Sequence, residues 1–114
     1  MSESTRTHPA EEKDTKEARL ENPTGVLHLF QHKSVPILID AILTLPPGRE
    51  FNKTELADHA GVTRQTVSNY IDLLLETEIV EEVPNTSPRR YRVAKSEAVK
   101  ELFELNSALN VAGE

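Results

Sequence analysis

Residues 52–76, NKTELADHAGVTRQTVSNYIDLLLE, constrain this chain more tightly than any other stretch. They read as two helices joined by a tight turn. Asn52 followed by Glu55 has the form of a capping box, in which a polar side chain accepts from the first free backbone N–H groups. Leu56, Ala57 and Ala60 give a short apolar face with small members. Gly61 stands where a chain leaving a helix favours a left-handed residue. Thr63 suits the N-cap of a second helix. In that helix Val67, Tyr70, Ile71 and Leu74 are spaced i, i+3, i+4, i+7 and share one face, leaving Arg64, Gln65, Ser68 and Asn69 on the other.

Ala57, Gly61 and Val67 stand at the relative spacing of the small, glycine and apolar positions of a helix-turn-helix. The small residue lets the helices approach, the glycine makes the turn, and the apolar residue locks the second helix on the first. The bland alternative is an ordinary helical hairpin whose Arg64, Gln65, Ser68 and Asn69 are only a solvated face.

The rest of the chain is arranged around this pair. Residues 1–22 are polar and mixed in charge, with six acidic and four basic groups, and read as a disordered tail. A tail that wraps a partner is the alternative. Val26, Leu27, Leu29 and Phe30 form a short apolar cluster. His28 and His32 are spaced i, i+4 like a metal pair, but no acid or cysteine lies nearby to complete a set, so a structural or solvent role is favoured. Ser34 is a candidate cap for a helix over residues 35–45, apolar almost all round and therefore central. Pro46, Pro47 and Gly48 end it.

After Glu76 come two candidate strands, residues 79–83 and 90–94, with a turn rich in proline between them. Arg90 and Arg92 alternate with Tyr91 and Val93, so arginines face one way and apolar groups the other. A hairpin directly after such a helix has the form of a wing, whose arginines reach phosphate or the adjacent minor groove. In the plainer reading they balance Glu81 and Glu82.

Ser96 caps a last helix. Ala98, Leu102, Leu105 and Leu109 lie at i, i+4, i+7, i+11, the seam of a short coiled coil, with Val99 and Phe103 in a second row. If one row packs on its own subunit, the other is left exposed. A two-fold homodimer through this helix follows, with Leu27 and Phe30 contributing. Alternatively both rows cover the chain's own core.

Composition narrows the function classes. The chain has 114 residues and no cysteine, which excludes disulfide staples and thiolate metal sites. No apolar run is long enough to span a membrane, and the polar N-terminus lacks a signal segment, so a cytoplasmic location is the default expectation. There is no glycine-rich phosphate loop, no paired nucleophile and no metal cluster, so neither an enzyme nor a resident cofactor is expected. The formal net charge of −6 is unlike the basic footprint of a simple nucleic-acid binder. Residues 85–95, however, carry Arg89, Arg90, Arg92 and Lys95 with no acid. An acidic surface suits concentrated salt, or serves only solubility.

Over residues 27–110 the chain resembles the small winged helix-turn-helix transcription regulators of archaea, of the ArsR/MarR-like kind, most of all those of halophilic archaea. The carrying segments are TELADHAGVTRQTVSNYIDLLLE, IVEEV, RRYRVAK and the last helix. The resemblance implies a mainly α fold: a three-helix core, a β-hairpin wing and a C-terminal dimerisation helix. It divides the chain into a tail over residues 1–22, a DNA-binding domain over 23–95 and a dimerisation helix over 96–114. It also implies a homodimeric, sequence-specific regulator of double-stranded DNA. The second helix, residues 63–76, enters the major groove, and the wing, residues 79–94, lies on the backbone or minor groove. By position, Thr63, Arg64, Gln65, Thr66, Ser68 and Asn69 face bases and nearby phosphates, Lys53 and Thr54 face phosphate, and Arg89, Arg90 and Arg92 are wing contacts. The metal-sensing members of that family use cysteines, which this chain lacks. An unidentified small effector at the dimer interface, or a protein partner, remains open. The competing function is a winged-helix protein–protein module, which the acidic charge and the single cation of the second helix favour.

Overall fold

The computed structural model describes residues 9–113. By internal contacts the chain divides into two units, Met1–Gln31 and His32–Glu114. The first carries α1 (Pro9–Glu21) and the short α2 (Gly25–Phe30). Residues 9–21 are thus helical where the polar composition predicts disorder. Helix α1 has no apolar stripe to bury, and Leu20 is half exposed. Its regularity is therefore local: Glu, Lys, Arg and Ala are strong helix formers, and proline opens the first turn. Residues 1–8 of the expected tail lie outside the described residues.

The second unit opens with α3 (Ser34–Leu43). Ser34 is not its cap, contrary to the expectation from sequence. The cap position belongs to Lys33, itself in helical conformation at φ −57°, and no side chain bonds there. Val35, Leu38, Ile39, Ala41 and Ile42 of α3 are buried, as its apolar composition predicts, but Ile37 stands half exposed. The helix stops before the prolines, where the Thr44 hydroxyl donates to the Ala41 carbonyl at 2.7 Å.

Next come α4 (Lys53–Ala60) and α5 (Arg64–Glu76). The capping box of α4 forms in both directions. The Glu55 N–H donates to Asn52 Oδ1 at 2.8 Å, and the Asn52 N–H donates to Glu55 Oε1 at 2.9 Å. At the far end Gly61 adopts φ 76°, ψ 31°, the left-handed turn. The Gly61 and Val62 N–H groups both donate to the Ala57 carbonyl, at 2.9 and 3.0 Å. Thr63 caps α5, accepting from the Thr66 N–H at 3.1 Å. Val67, Ile71 and Leu74 are buried, as are Leu56 and Ala57 of α4 and Leu38 of α3, the two helices that α5 packs on. Full burial of each large aliphatic side chain contributes about 1.5–3 kcal/mol. His59 fixes α4 to α3, with its Nε2 within 3.0 Å of the Ala41 carbonyl and 2.8 Å of the Thr44 hydroxyl.

Strands β1 (Val80–Val83) and β2 (Arg90–Val93) pair antiparallel in the register Val80–Val93, Glu81–Arg92, Glu82–Tyr91, Val83–Arg90. The other edge of β2 receives Phe51 through an isolated bridge, with N–H to carbonyl distances of 2.8 and 2.7 Å. Tyr91 and Val80 are the apolar underside of the hairpin, each 2% exposed. The turn includes Asn85 at φ 61° and a cis Ser87–Pro88 bond. Helix α6 (Glu97–Ala112) follows, and Ser96 caps it as expected, accepting from the Val99 N–H. The Ser96 hydroxyl also donates to the Glu78 carbonyl, which pins the start of α6 to the turn after α5. Helix pair, hairpin and bridging segment make this unit a winged helix-turn-helix, mainly α with a β wing.

Candidate nucleic-acid interface

The exposed face of α5 follows from its buried one. With Val67, Ile71 and Leu74 turned inward, Arg64, Gln65 and Asn69 are exposed and Ser68 is half-buried. Gln65 Nε2 donates to Asn69 Oδ1 at 2.9 Å, one turn apart, so the two amides form a single polar element. Thr63 and Thr66 bring their hydroxyls within 2.9 Å of each other at the start of the helix. Tyr70, expected on the core face, is only half-buried. Its ring lies against that of His32, with centroids 5.2 Å apart. His32 therefore has an aromatic neighbour, and no group of three or more metal-ligating side chains exists among the described residues.

Arg64 leads into a hollow of about 360 Å³ lined by Asn52, Lys53, Thr54, Arg64, Pro88, Arg89 and Tyr91. Three cations from three elements thus meet there: Lys53 from the first turn of α4, Arg64 from the first turn of α5, and Arg89 from the wing. The capping box occupies the N–H groups of Asn52 and Glu55. The positive end of the α4 dipole faces the same place.

The other two wing arginines are placed differently. Arg90 turns back on the body, donating to Glu55 Oε1 at 3.0 Å and to the Glu50 carbonyl at 3.1 Å, with the Glu50 carboxylate at 3.7 Å. Arg92 pairs with Glu81, directly opposite on β1. That pair lines a separate hollow of about 720 Å³, between the 45–48 loop, the hairpin and α6. Arg89 in turn pairs with Glu82. All three arginines therefore hold carboxylates, so the reading in which they balance Glu81 and Glu82 describes much of their environment. Glu50 and Glu55 are partners of Arg90 that sequence reasoning missed. They come from before the hairpin, on either side of Phe51, which bridges to Tyr91 of β2. Glu55 has its carboxyl pKa lowered from the ordinary value, first by the Asn52 backbone N–H and then by the Arg90 charge.

The expected dimer residues separate by exposure. On α6, Val99 is buried and Leu102 half-buried, whereas Ala98, Leu105 and Leu109 are exposed. Phe103 and Val111 are exposed as well. The two rows do not both cover the chain's own core. In α2, Leu27 and Phe30 are half-buried.

A family model described as "Domain of unknown function (DUF8612)" matches residues 33–104. The chain belongs to this family. The DUF8612 match takes in α3, the helix pair, the wing and the first half of α6. All candidate residues from Lys53 to Arg92 lie inside it, and Leu105 and Leu109 lie just beyond. No curated protein matches the chain. Among solved structures, the chain is similar to NolR from Sinorhizobium fredii, with TM-score 0.57 and 15% identity over 93% of this chain and 96% of that one. It is also similar to the predicted DNA-binding transcriptional regulator from E. coli, with TM-score 0.54 and 16% identity over 90% and 99%. A third likeness is to the transcriptional repressor BigR from Xylella fastidiosa, with TM-score 0.53 and 26% identity over 92% and 96%. The first two establish the fold alone.

Proposed function

We propose that this protein is a sequence-specific, double-stranded DNA-binding transcription regulator that acts as a homodimer. The observation that carries the reading is the convergence of Lys53, Arg64 and Arg89 on one hollow at the start of α5. A phosphate seated there meets three cations and the positive end of a helix, while the exposed face of α5 lies in the major groove. BigR, 26% identical to this chain, is a transcriptional repressor, which supports the same class.

The division of labour follows from chemistry. Arg64 donates two hydrogen bonds to guanine O6 and N7. Gln65 or Asn69 pairs with adenine N6 and N7, and each good pair discriminates by about 1–3 kcal/mol. Thr63, Thr66 and Ser68 supply hydroxyls to nearby bases and phosphates. Lys53, Thr54 and Arg89 hold the backbone and set the register. Arg90 and Arg92 serve the wing from behind, fixing β2 against Glu50, Glu55 and Glu81. Dimerisation runs through the exposed row of α6, with Leu105 at 52% and Leu109 at 61% exposure. A two-fold pair places two α5 helices on successive half-sites.

A protein–protein module is the second reading, and the carboxylate-paired wing arginines favour it. Fluorescence anisotropy separates the two. Duplexes selected from genomic fragments should bind more tightly than random duplex in the regulator reading. If no duplex is retained at any salt concentration, the module reading takes its place.

A further inference from the structure

We infer that Glu82 is a specificity-determining residue. Its carboxylate masks Arg89 and so keeps the α5 hollow from holding duplex DNA of arbitrary sequence. This rests on the DNA-binding reading above and adds a role for a wing residue outside the recognition helix.

Arg89 is the one wing arginine that lines the hollow with Lys53 and Arg64, and Glu82 is its ion-pair partner. Both side chains are solvent-accessible, 65% for Arg89 and 44% for Glu82, so the pair is open to exchange with another anion. Non-specific affinity for duplex comes largely from cations that release mobile counterions when they meet phosphate. Arg89 already holds a counterion that is tethered to the chain. Meeting a phosphate displaces Glu82 without freeing a salt ion, and leaves a carboxylate close to the nucleic acid. A generic backbone contact therefore gains little. A duplex whose bases engage Arg64 and Gln65 is held in one register, which sets a phosphate against Arg89 and offsets the exchange, whereas a duplex bound in many registers leaves the Arg89–Glu82 pair intact. Discrimination is raised by weakening the wrong complex.

Glu81 supplies a built-in control. It forms the same kind of pair one residue away, with Arg92, but that pair lines the other hollow beside α6. Removing either carboxylate changes the net charge equally. Only removal of Glu82 unmasks a cation beside α5.

The test is anisotropy against labelled duplexes of random and of selected sequence, titrated with KCl, for the wild type, Glu82→Gln, Glu81→Gln and Glu82→Gln combined with Arg89→Ala. A gain for Glu82→Gln as large on selected as on random duplex overturns the inference. Glu82→Gln should bind random duplex about fivefold more tightly at low salt, the upper end for a surface charge pair. Its log–log salt slope should steepen by about 0.9, one additional phosphate contact. Glu81→Gln should follow the wild type, and the double variant should lose the gain. Thermal melts should coincide, because surface pairs contribute little to folding. A slope for Glu82→Gln equal to that of the wild type overturns the inference, as does an equal gain from Glu81→Gln. A wild type that binds selected duplex while Glu82→Gln leaves random binding unmoved removes this inference alone. A wild type that binds no duplex removes the DNA-binding reading and this inference with it.

Discussion

Gly61 and Glu55 show how single residues set the site. At φ 76° Gly61 has open space around the position a Cβ would take, so the cost of any side chain there lies in the backbone alone. Gly61→Ala should lower stability by about 1–2 kcal/mol, measured by chemical denaturation, with the fold kept. Glu55 closes the α4 capping box and takes the Arg90 guanidinium on the same oxygen. Its folded pKa is depressed, so its ionised form stabilises the fold above the ordinary carboxylate range. That contribution is lost as pH falls through the folded value. Glu55→Gln keeps an acceptor for the Asn52 N–H but offers Arg90 no charge. The wild type should therefore be the more stable at neutral pH, with the gap closing on acidification. Parallel stability curves across that range would contradict the role given to Glu55.

Among the elements, the helix pair is the most legible in the sequence. Its caps, its glycine and its apolar spacing are local, and each local choice agrees with the others. Val67, Ile71 and Leu74 are buried where the spacing places them. Leu74→Ala should cost about 2–5 kcal/mol, read from the unfolding midpoint, because a fully buried aliphatic leaves a cavity. The hairpin is legible in its position and in the alternation of its faces, but not in the fate of its arginines. Alternation shows which residues share a face. It does not show that the segment before α4 bridges β2 and delivers Glu50 and Glu55 to Arg90, or that Arg92 belongs to the hollow beside α6. Serine is a common N-cap, so the sequence points to Ser34. Lys33 is already helical, however, and the serine lies one residue inside. Helix α1 escapes a reading by periodicity because its sequence, PAEEKDTKEARLE, carries no apolar stripe.

Across the whole molecule, acidic charge and an exposed apolar helix face have to be reconciled with the proposed binding to a polyanion. The net charge of −6 is spread over the chain, whereas Lys53, Arg64 and Arg89 are focused on one hollow. Focused cations on an acidic body favour fitted contacts over general phosphate attraction, and suit a saline medium in which counterion release contributes little. In the proposed assembly the α6 row is the means of pairing copies. Leu105→Lys with Leu109→Lys should convert the dimer to a monomer in light scattering and leave the melting curve of the fold nearly unchanged, since both side chains are exposed in the single chain. Binding to a palindromic duplex should weaken by far more than binding to one half-site.

The measurement that bears most directly on the proposed function compares wild type and Arg64→Ala by anisotropy on a selected duplex and on random duplex. Arg64 is the only cation of α5 and lines the hollow at its start. The selected duplex should lose about 10–100-fold in affinity, the worth of a bidentate guanine contact, and random duplex much less. Equal losses on the two duplexes would contradict the placement of α5 in the major groove.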